Sequence, residues 1–183
     1  MAFLKWLMWM ALIAFLGLVM VGFMLPRDIS VTRSVTLSAP IERVYAVVSS
    51  PRQTKDWLPW GALDGKSETT YSFEGPESGN GAIMIWKNPK FRDYGEGRQT
   101  IVSARENERV VSELDLGKMG VSHMTMELFS DGVGTRVETK FETSLGHSPF
   151  ARWFGLLLDD WLAEDLDKAH EGLKAKLAAQ PAG

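Results

Sequence analysis

Cysteine is absent from this chain of 183 residues. That absence excludes disulfide bonds, a thiol nucleophile and metal sites built on cysteine. Basic side chains are not in excess either, because 20 Lys and Arg stand against 23 Asp and Glu, for a net charge of −3. With no cluster of Lys and Arg, the sequence lacks the electrostatic footprint of a nucleic-acid-binding protein, and we exclude that class of partner.

Catalytic and metal-binding motifs are also missing. The three histidines, His123, His147 and His170, form no pair at metal-ligand spacing. His123 falls on the polar side of a predicted strand, and we expect His170 to be solvated on the acidic face of a helix. The segment Gly75–Gly79 is not a nucleophile elbow, because its serine directly precedes the last glycine. We therefore predict no catalytic residue, no metal and no cofactor.

One long hydrophobic run is present at the N-terminus. Trp6 through Leu25 carry no charge, and 20 residues make about 30 Å of helix, the thickness of a bilayer core. A cleaved signal peptide is the alternative, but its apolar region is usually shorter and ends at a small-x-small site. The end of the hydrophobic run, Val21–Leu25, does not provide a good site of this kind. We predict a retained transmembrane anchor over residues 1–26 that contacts the membrane through residues 4–25.

The rest of the chain forms one domain by length, residues 27–180, with a loose tail at residues 181–183. Lys5 is the one charged side chain of residues 1–26, so this remainder keeps 19 of the 20 basic residues against 23 acidic ones, a net charge of −4.

A long C-terminal helix is predicted from Ser148 to about Leu177. Ser148 and Pro149 suit the N-cap and the first helical position. Apolar residues recur at helical spacing through the segment: Phe150, Phe154, Leu157, Trp161, Leu162, Leu166, Ala169, Leu173 and Leu177. A helix of about 28 residues is about 42 Å long, so a broad sheet must cover such a stripe.

Seven segments alternate apolar and polar residues, as half-buried strands do. They are residues 29–37, 69–74, 82–87, 97–104, 109–116, 121–129 and 135–145. Two short helices, from Ser38 to Val48 and from Thr54 to Leu58, separate the first strand from the second. The predicted fold is α+β: a curved seven-stranded antiparallel sheet wrapped around the long C-terminal helix, with a transmembrane helix before it.

A family resemblance enters at the start of this domain. It is carried by Val35–Pro51 (VTLSAPIERVYAVVSSP), by Trp57–Trp60 (WLPW) and by the order of the elements that follow. The chain resembles the START-like (SRPBCC) superfamily in its polyketide cyclase/dehydrase and lipid-transport branch, over about residues 28–178. The resemblance implies a helix-grip fold with an apolar cavity between sheet and helix, but fold alone does not imply function.

The candidate cavity residues come from strand alternation and from the long helix, and Trp57 and Trp60 are expected to form a cap over the cavity. A packed core is the alternative interpretation of the same residues. We predict the following ligand-binding residues: Trp57, Trp60, Tyr71, Phe73, Met84, Trp86, Met124, Met126, Phe141, Trp153, Leu157 and Trp161. Apolar pockets with few polar groups are typical of small-molecule sites, and methionines let a pocket adapt.

Three functions remain open from the sequence. The first is non-catalytic binding of a hydrophobic or amphipathic, lipid-like small molecule by a domain anchored in a bacterial inner membrane. The second is a cyclase/dehydrase-like enzyme, which needs a polar pair in the cavity, such as Tyr71 or Tyr94 with an acid or a histidine. The third is an envelope structural or partner-binding domain with a filled core. Lys5 favours an inside N-terminus and hence a periplasmic domain, although Arg27 and Arg33 reduce the charge difference.

Overall fold

The computed structural model describes residues 2–58, 69–89, 95–132 and 134–179. Four helices and seven strands are described there, with a short 3-10 helix at Gly117–Met119. The helices are α1 (Ala2–Met24), α2 (Ile41–Val48), α3 (Pro51–Thr54) and α4 (Pro149–Ala179). The strands are β1 (Asp28–Leu37), β2 (Thr70–Glu74), β3 (Ile83–Lys87), β4 (Glu96–Arg105), β5 (Arg109–Asp115), β6 (Val121–Asp131) and β7 (Gly134–Ser144).

The seven strands form one antiparallel sheet in the order β1-β7-β6-β5-β4-β3-β2. Strands β2 to β7 are a meander, and β1 pairs with β7 in an unbroken register from Asp28↔Ser144 to Leu37↔Thr135. This confirms the predicted fold class, the seven strands and their order. The strands form where the sequence alternates, because successive side chains of a strand point to opposite faces.

Strand β6 illustrates how alternation decides the buried face. Met124, Met126 and Leu128 are buried, whereas His123 is exposed, as the sequence predicted. Helices α2 and α3 close one end of the sheet by burying Val44, Val47 and Val48 among other apolar residues.

Helix α4 packs one side against the sheet, and its first half carries a second apolar side that is exposed. From Ala163 onward, Leu166, Leu173 and Leu177 pack into the core, and the first two are 0% exposed. In the first half, four residues of the predicted stripe are exposed, from 47% to 58%: Phe150, Phe154, Leu157 and Trp161. The prediction that one continuous stripe faces the sheet is therefore wrong for this half.

The reason lies in helix geometry. At about 100° per residue, the four residues Phe150, Phe154, Leu157 and Trp161 cluster within about 60° of one another. The buried residues Leu166, Leu173 and Leu177 cluster about 150° away around the same axis. One sheet cannot cover both sides of the helix, and this sheet covers the side of Leu166, Leu173 and Leu177.

The C-terminal half of α4 is also fixed by polar contacts. Arg43 of α2 donates through Nη2 to the carbonyl oxygen of Leu177 at 2.7 Å. The last carbonyls of a helix have no partner inside the helix, so this bond caps α4.

His170 is the second departure from the sequence prediction. We expected it to be solvated, but it is 4% exposed, and its Nε2 lies 2.9 Å from Thr139 Oγ1 of β7 in a hydrogen bond. Desolvation by burial lowers the pKa of His170 below its ordinary value, and the Asp167 and Glu171 carboxylates oppose that shift. The neutral imidazole is therefore the form that the fold stabilises.

This burial predicts a pH-dependent stability. Because the pKa of His170 is lower in the folded than in the unfolded chain, the unfolded state binds more protons once the pH falls below about 6.5. The free energy of unfolding should be highest above that pH and should decrease as the pH falls towards the folded-state pKa. His170→Gln should flatten this dependence in chemical unfolding of the full chain in mild detergent. His123→Gln controls for loss of an exposed histidine, and an unchanged slope in His170→Gln would contradict the assignment.

Candidate apolar cavity

A cavity of about 470 Å³ lies between the sheet and the first half of α4. This volume falls within the range of small-molecule sites, roughly 300–1,000 Å³. Its walls come from β3, β5, β6, β7, the 3-10 helix and α4. The lining residues are Trp86, Leu114, Leu116, Lys118, Met119, Ser122, Phe141, Thr143, Ser144, Leu145, Ala151, Phe154, Leu158, Trp161, Leu162 and Asp165.

The floor of the cavity is formed by buried side chains of the sheet. Trp86, Leu114 and Phe141 are each at most 3% exposed, and they extend from β3, β5 and β7. Gly97 of β4 lies opposite Trp86 in the β3–β4 register. A Cβ at Gly97 would overlap the indole ring, with Trp86 Cε2 at 2.6 Å. The absence of a side chain at position 97 therefore gives the indole its place in the floor.

The polar groups inside the cavity are few, and two of them are paired with each other. Ser122 is buried, and its Oγ donates to Thr143 Oγ1 at 2.9 Å. This pair joins β6 to β7 across the register Ser122↔Thr143. Two hydroxyls whose hydrogen bonds are already formed add little polarity, so the inner cavity suits apolar groups.

The mouth of the cavity combines exposed aromatic and charged side chains. Phe154 and Trp161 meet edge to face, with ring centroids 5.5 Å apart, and both are exposed. Met119 faces them from the 3-10 helix and is also exposed. Lys118 and Asp165 are the ionisable lining residues among those described, and Asp165 lies 3.5 Å from Lys168 Nζ in an ion pair.

No histidine or tyrosine occurs in the described lining. Tyr71, named above for a catalytic pair, is half-buried on β2 outside the lining, and burial raises the pKa of its phenol, with Asp56 as a smaller cause. A higher pKa keeps that phenol protonated at neutral pH. Tyr94 lies outside the described residues.

Three of the predicted ligand-binding residues line the cavity: Trp86, Phe141 and Trp161. The others on the sheet and the cap lie elsewhere. Met84, Met124 and Met126 are buried in the core, and Trp57 is 4% exposed, with no hydrogen-bond partner for its Nε1 among the described residues.

The remaining predicted residues lie outside the cavity wall. Phe73 is half-buried on β2, where the Arg52 guanidinium stacks 4.8 Å from its ring centroid. Trp153 points to α1 and donates through Nε1 to the carbonyl oxygen of Leu18. Leu157 is exposed, and Trp60 falls outside the described residues.

Sequence reasoning missed several lining residues, and for some a signal existed. Leu114 and Leu116 lie two positions apart on and just after β5, so alternation places them on one face. Leu158 and Leu162 lie one turn apart on α4 and between its two apolar faces. Met119, in the short 3-10 helix, gave no periodic signal.

A smaller cavity of about 250 Å³ lies where the chain leaves α1. Its polar lining includes Asp28, Ser30, Arg152 and Asp159, and its apolar lining includes Leu156.

Comparisons with a family model and with solved structures agree on the fold of the domain. The family model described as polyketide cyclase / dehydrase and lipid transport matches residues 28–178. A search of curated proteins finds no significant match to the chain.

Solved structures with a similar fold come from several sources. A protein of unknown function from Staphylococcus aureus has a TM-score of 0.64 at 9% identity, over 83% of this chain and 94% of that chain. A protein from Mesorhizobium loti has a TM-score of 0.59 at 14% identity, over 84% and 100%. Ara h 8.0201 has a TM-score of 0.58 at 9% identity, over 84% and 99%. At these identities the likeness shows the fold alone.

The contact between Gly97 and Trp86 yields a testable prediction. Gly97→Ala should lower the free energy of unfolding by about 1–3 kcal/mol, the usual cost of overpacking, because the new methyl displaces the indole. In a Trp86→Leu background the same change should cost clearly less, since the smaller side chain leaves room. A double-mutant cycle by chemical unfolding measures this coupling. An equal cost in both backgrounds would show that the indole is not the obstacle.

Proposed function

Because the chain belongs to the polyketide cyclase / dehydrase and lipid transport family, we propose that it binds a hydrophobic or amphipathic, lipid-like small molecule in the cavity of about 470 Å³. The observation that carries this proposal is the open volume above a floor of buried apolar side chains, Trp86, Leu114 and Phe141. The floor favours the hydrocarbon part of a ligand, and the mouth with Lys118 and Asp165 suits its polar end.

The proposed binder is held at a membrane by α1. Phe3–Met24 is long and apolar enough to span a bilayer, and its large side chains are mostly exposed. A signal sequence can be as long and as apolar, but three hydrogen bonds support retention. Trp153 and Arg152 of α4 donate them to main-chain carbonyls in α1 and just after it. We assign residues 1–26 to a single-pass anchor in a bacterial inner membrane and residues 27–180 to a domain on the periplasmic side.

Binding without catalysis is better supported than a cyclase-like reaction. A general acid or base must lie within hydrogen-bond reach of the group it serves, with a suitable pKa. The ionisable groups in the described lining are Lys118, exposed on the 3-10 helix, and Asp165, paired with Lys168. Neither projects from the buried floor. A purely structural role with a filled core is disfavoured by the open volume itself.

Native mass spectrometry with lipid extraction tests the proposal on the full chain, purified in mild detergent. A reproducible co-purifying apolar molecule, released on denaturation, is the expected result. Consistently ligand-free protein that also fails to bind a fluorescent fatty acid would overturn the proposal.

Filling the cavity from the helix side should weaken binding. Ala151 of α4 lines the cavity, and Ala151→Trp should weaken fluorescent fatty-acid binding by about tenfold or more, which corresponds to about 1.4 kcal/mol. The expected cause is steric, because the indole occupies space that the ligand needs. Ala175→Trp makes the same substitution at an exposed site of α4 and should leave the affinity unchanged. Equal affinities of the two variants would place the ligand elsewhere.

A further inference from the structure

Helix α4 begins against the side of α1. Trp153 donates through Nε1 to the carbonyl oxygen of Leu18 at 3.0 Å. The rings of Phe150 and Phe15 lie next to each other, with centroids 6.2 Å apart. Both contacts lie in the last half of α1 and in the first turns of α4, so the two helices cross there.

Close packing and an arginine fix this crossing. A Cβ at Gly22 would lie 2.8 Å from Pro149 Cβ, so the glycine allows the start of α4 to touch the α1 backbone. Arg152 donates through Nη1 to the carbonyl oxygens of Phe23 at 2.8 Å and Leu25 at 3.3 Å. These carbonyls end a helix and would otherwise need water or another donor. The one charged side chain in Pro149–Leu158 is thereby used to cap α1.

The position of the crossing sets the depth of α4. Leu18 is six residues before Met24, about 9 Å along the helix axis, and Phe15 is nine residues before it, about 14 Å. If α1 spans a bilayer whose core is about 30 Å thick, the first turns of α4 lie beside a part of α1 that is within the membrane or its interface.

The exposed surface of α4 next to this crossing is apolar. We call it the outer apolar face, and it consists of Phe150, Phe154, Leu157 and Trp161, all at least 47% exposed. The four residues project from one side of the helix, about 150° from the side that the sheet buries. The face ends after Trp161, where Glu164 begins a turn that carries ion pairs with Lys168.

We propose that the outer apolar face of α4 lies in the surface of the same membrane that holds α1. The mouth of the cavity, formed by Phe154, Trp161 and Met119, then opens onto lipid instead of water. A helix with an apolar face beside a charged one is the kind that rests in the membrane interface. The proposal rests on the anchoring proposed above and adds the source of the ligand, which enters from the bilayer without crossing water.

The charge of the domain indicates which type of lipid the outer apolar face contacts. Residues 27–183 carry a net charge of −4, and Asp160 and Glu164 flank the end of the outer apolar face. An acidic surface is not attracted to anionic headgroups, so the contact must depend on the apolar side chains. We therefore expect it to form on a zwitterionic phosphatidylcholine bilayer without anionic lipid.

The absence of cysteine makes a direct test possible. Leu157→Cys in the full chain, labelled with a nitroxide and reconstituted in phosphatidylcholine vesicles, reports the surroundings of the outer apolar face. Oxygen concentrates in the bilayer and a nickel chelate in water, so relaxation by the two quenchers measures depth. Glu171→Cys, on the exposed side of the second half of α4, is the matched control in water, and Ile13→Cys marks the bilayer.

The expected result is an oxygen-to-nickel accessibility ratio at Leu157→Cys that is severalfold higher than at Glu171→Cys and approaches that of Ile13→Cys. A high ratio at Ile13→Cys with a low one at Leu157→Cys would overturn this inference and leave the anchor intact. Low ratios at both sites would refute the anchor and the inference together, but not ligand binding. Shielding of Leu157→Cys from both quenchers, or dipolar broadening between copies, would show a protein partner and overturn the membrane assignment. Phe150→Cys is a second probe of the same face.

Discussion

The structure depends on the fact that the two apolar faces of α4 are not aligned. The face of Leu166, Leu173 and Leu177 packs into the sheet, where burying one such side chain contributes about 1.5–3 kcal/mol. The face of Phe150, Phe154, Leu157 and Trp161 points about 150° away. The sheet covers only the first of these faces, so the second stays exposed. Between them, Leu158 and Leu162 pack partly against the core and line the cavity.

This division explains why the cavity lies where it does. In the second half of α4, Ala163, Ala169 and Leu173 are buried against the sheet. Towards Pro149 the helix is held by α1 through Arg152 and Trp153. The floor of Trp86 and Phe141 is therefore covered by α4 but not filled, and the cavity lies beside the half of α4 that contacts α1.

Much of the fold could be predicted from the sequence because alternation and helical spacing are local signals. The alternation of Met124, Met126 and Leu128 identified the inner face of β6, and the Ser148-Pro149 pair identified the start of α4. The site was less predictable, because alternation along a strand identifies the inner face but does not separate core from cavity. Met84 is packed in the core, whereas Trp86, two residues later, lines the cavity. The shift between the faces of α4 was present in the spacing, since Trp161 and Leu162 are adjacent and cannot share a face. The burial of His170 depends on its contact with Thr139 and had no local signal.

Amide hydrogen exchange along α4, measured on the full chain in phosphatidylcholine bilayers at increasing urea, tests the division of the helix most directly. Cooperative units of a protein lose protection together. The account predicts that amides from Leu166 to Leu177 lose protection in step with β6 and β7, whereas those from Phe150 to Trp161 lose it in a separate step. Loss of protection along all of α4 in one step with the sheet would contradict the account, because both halves would then share one partner.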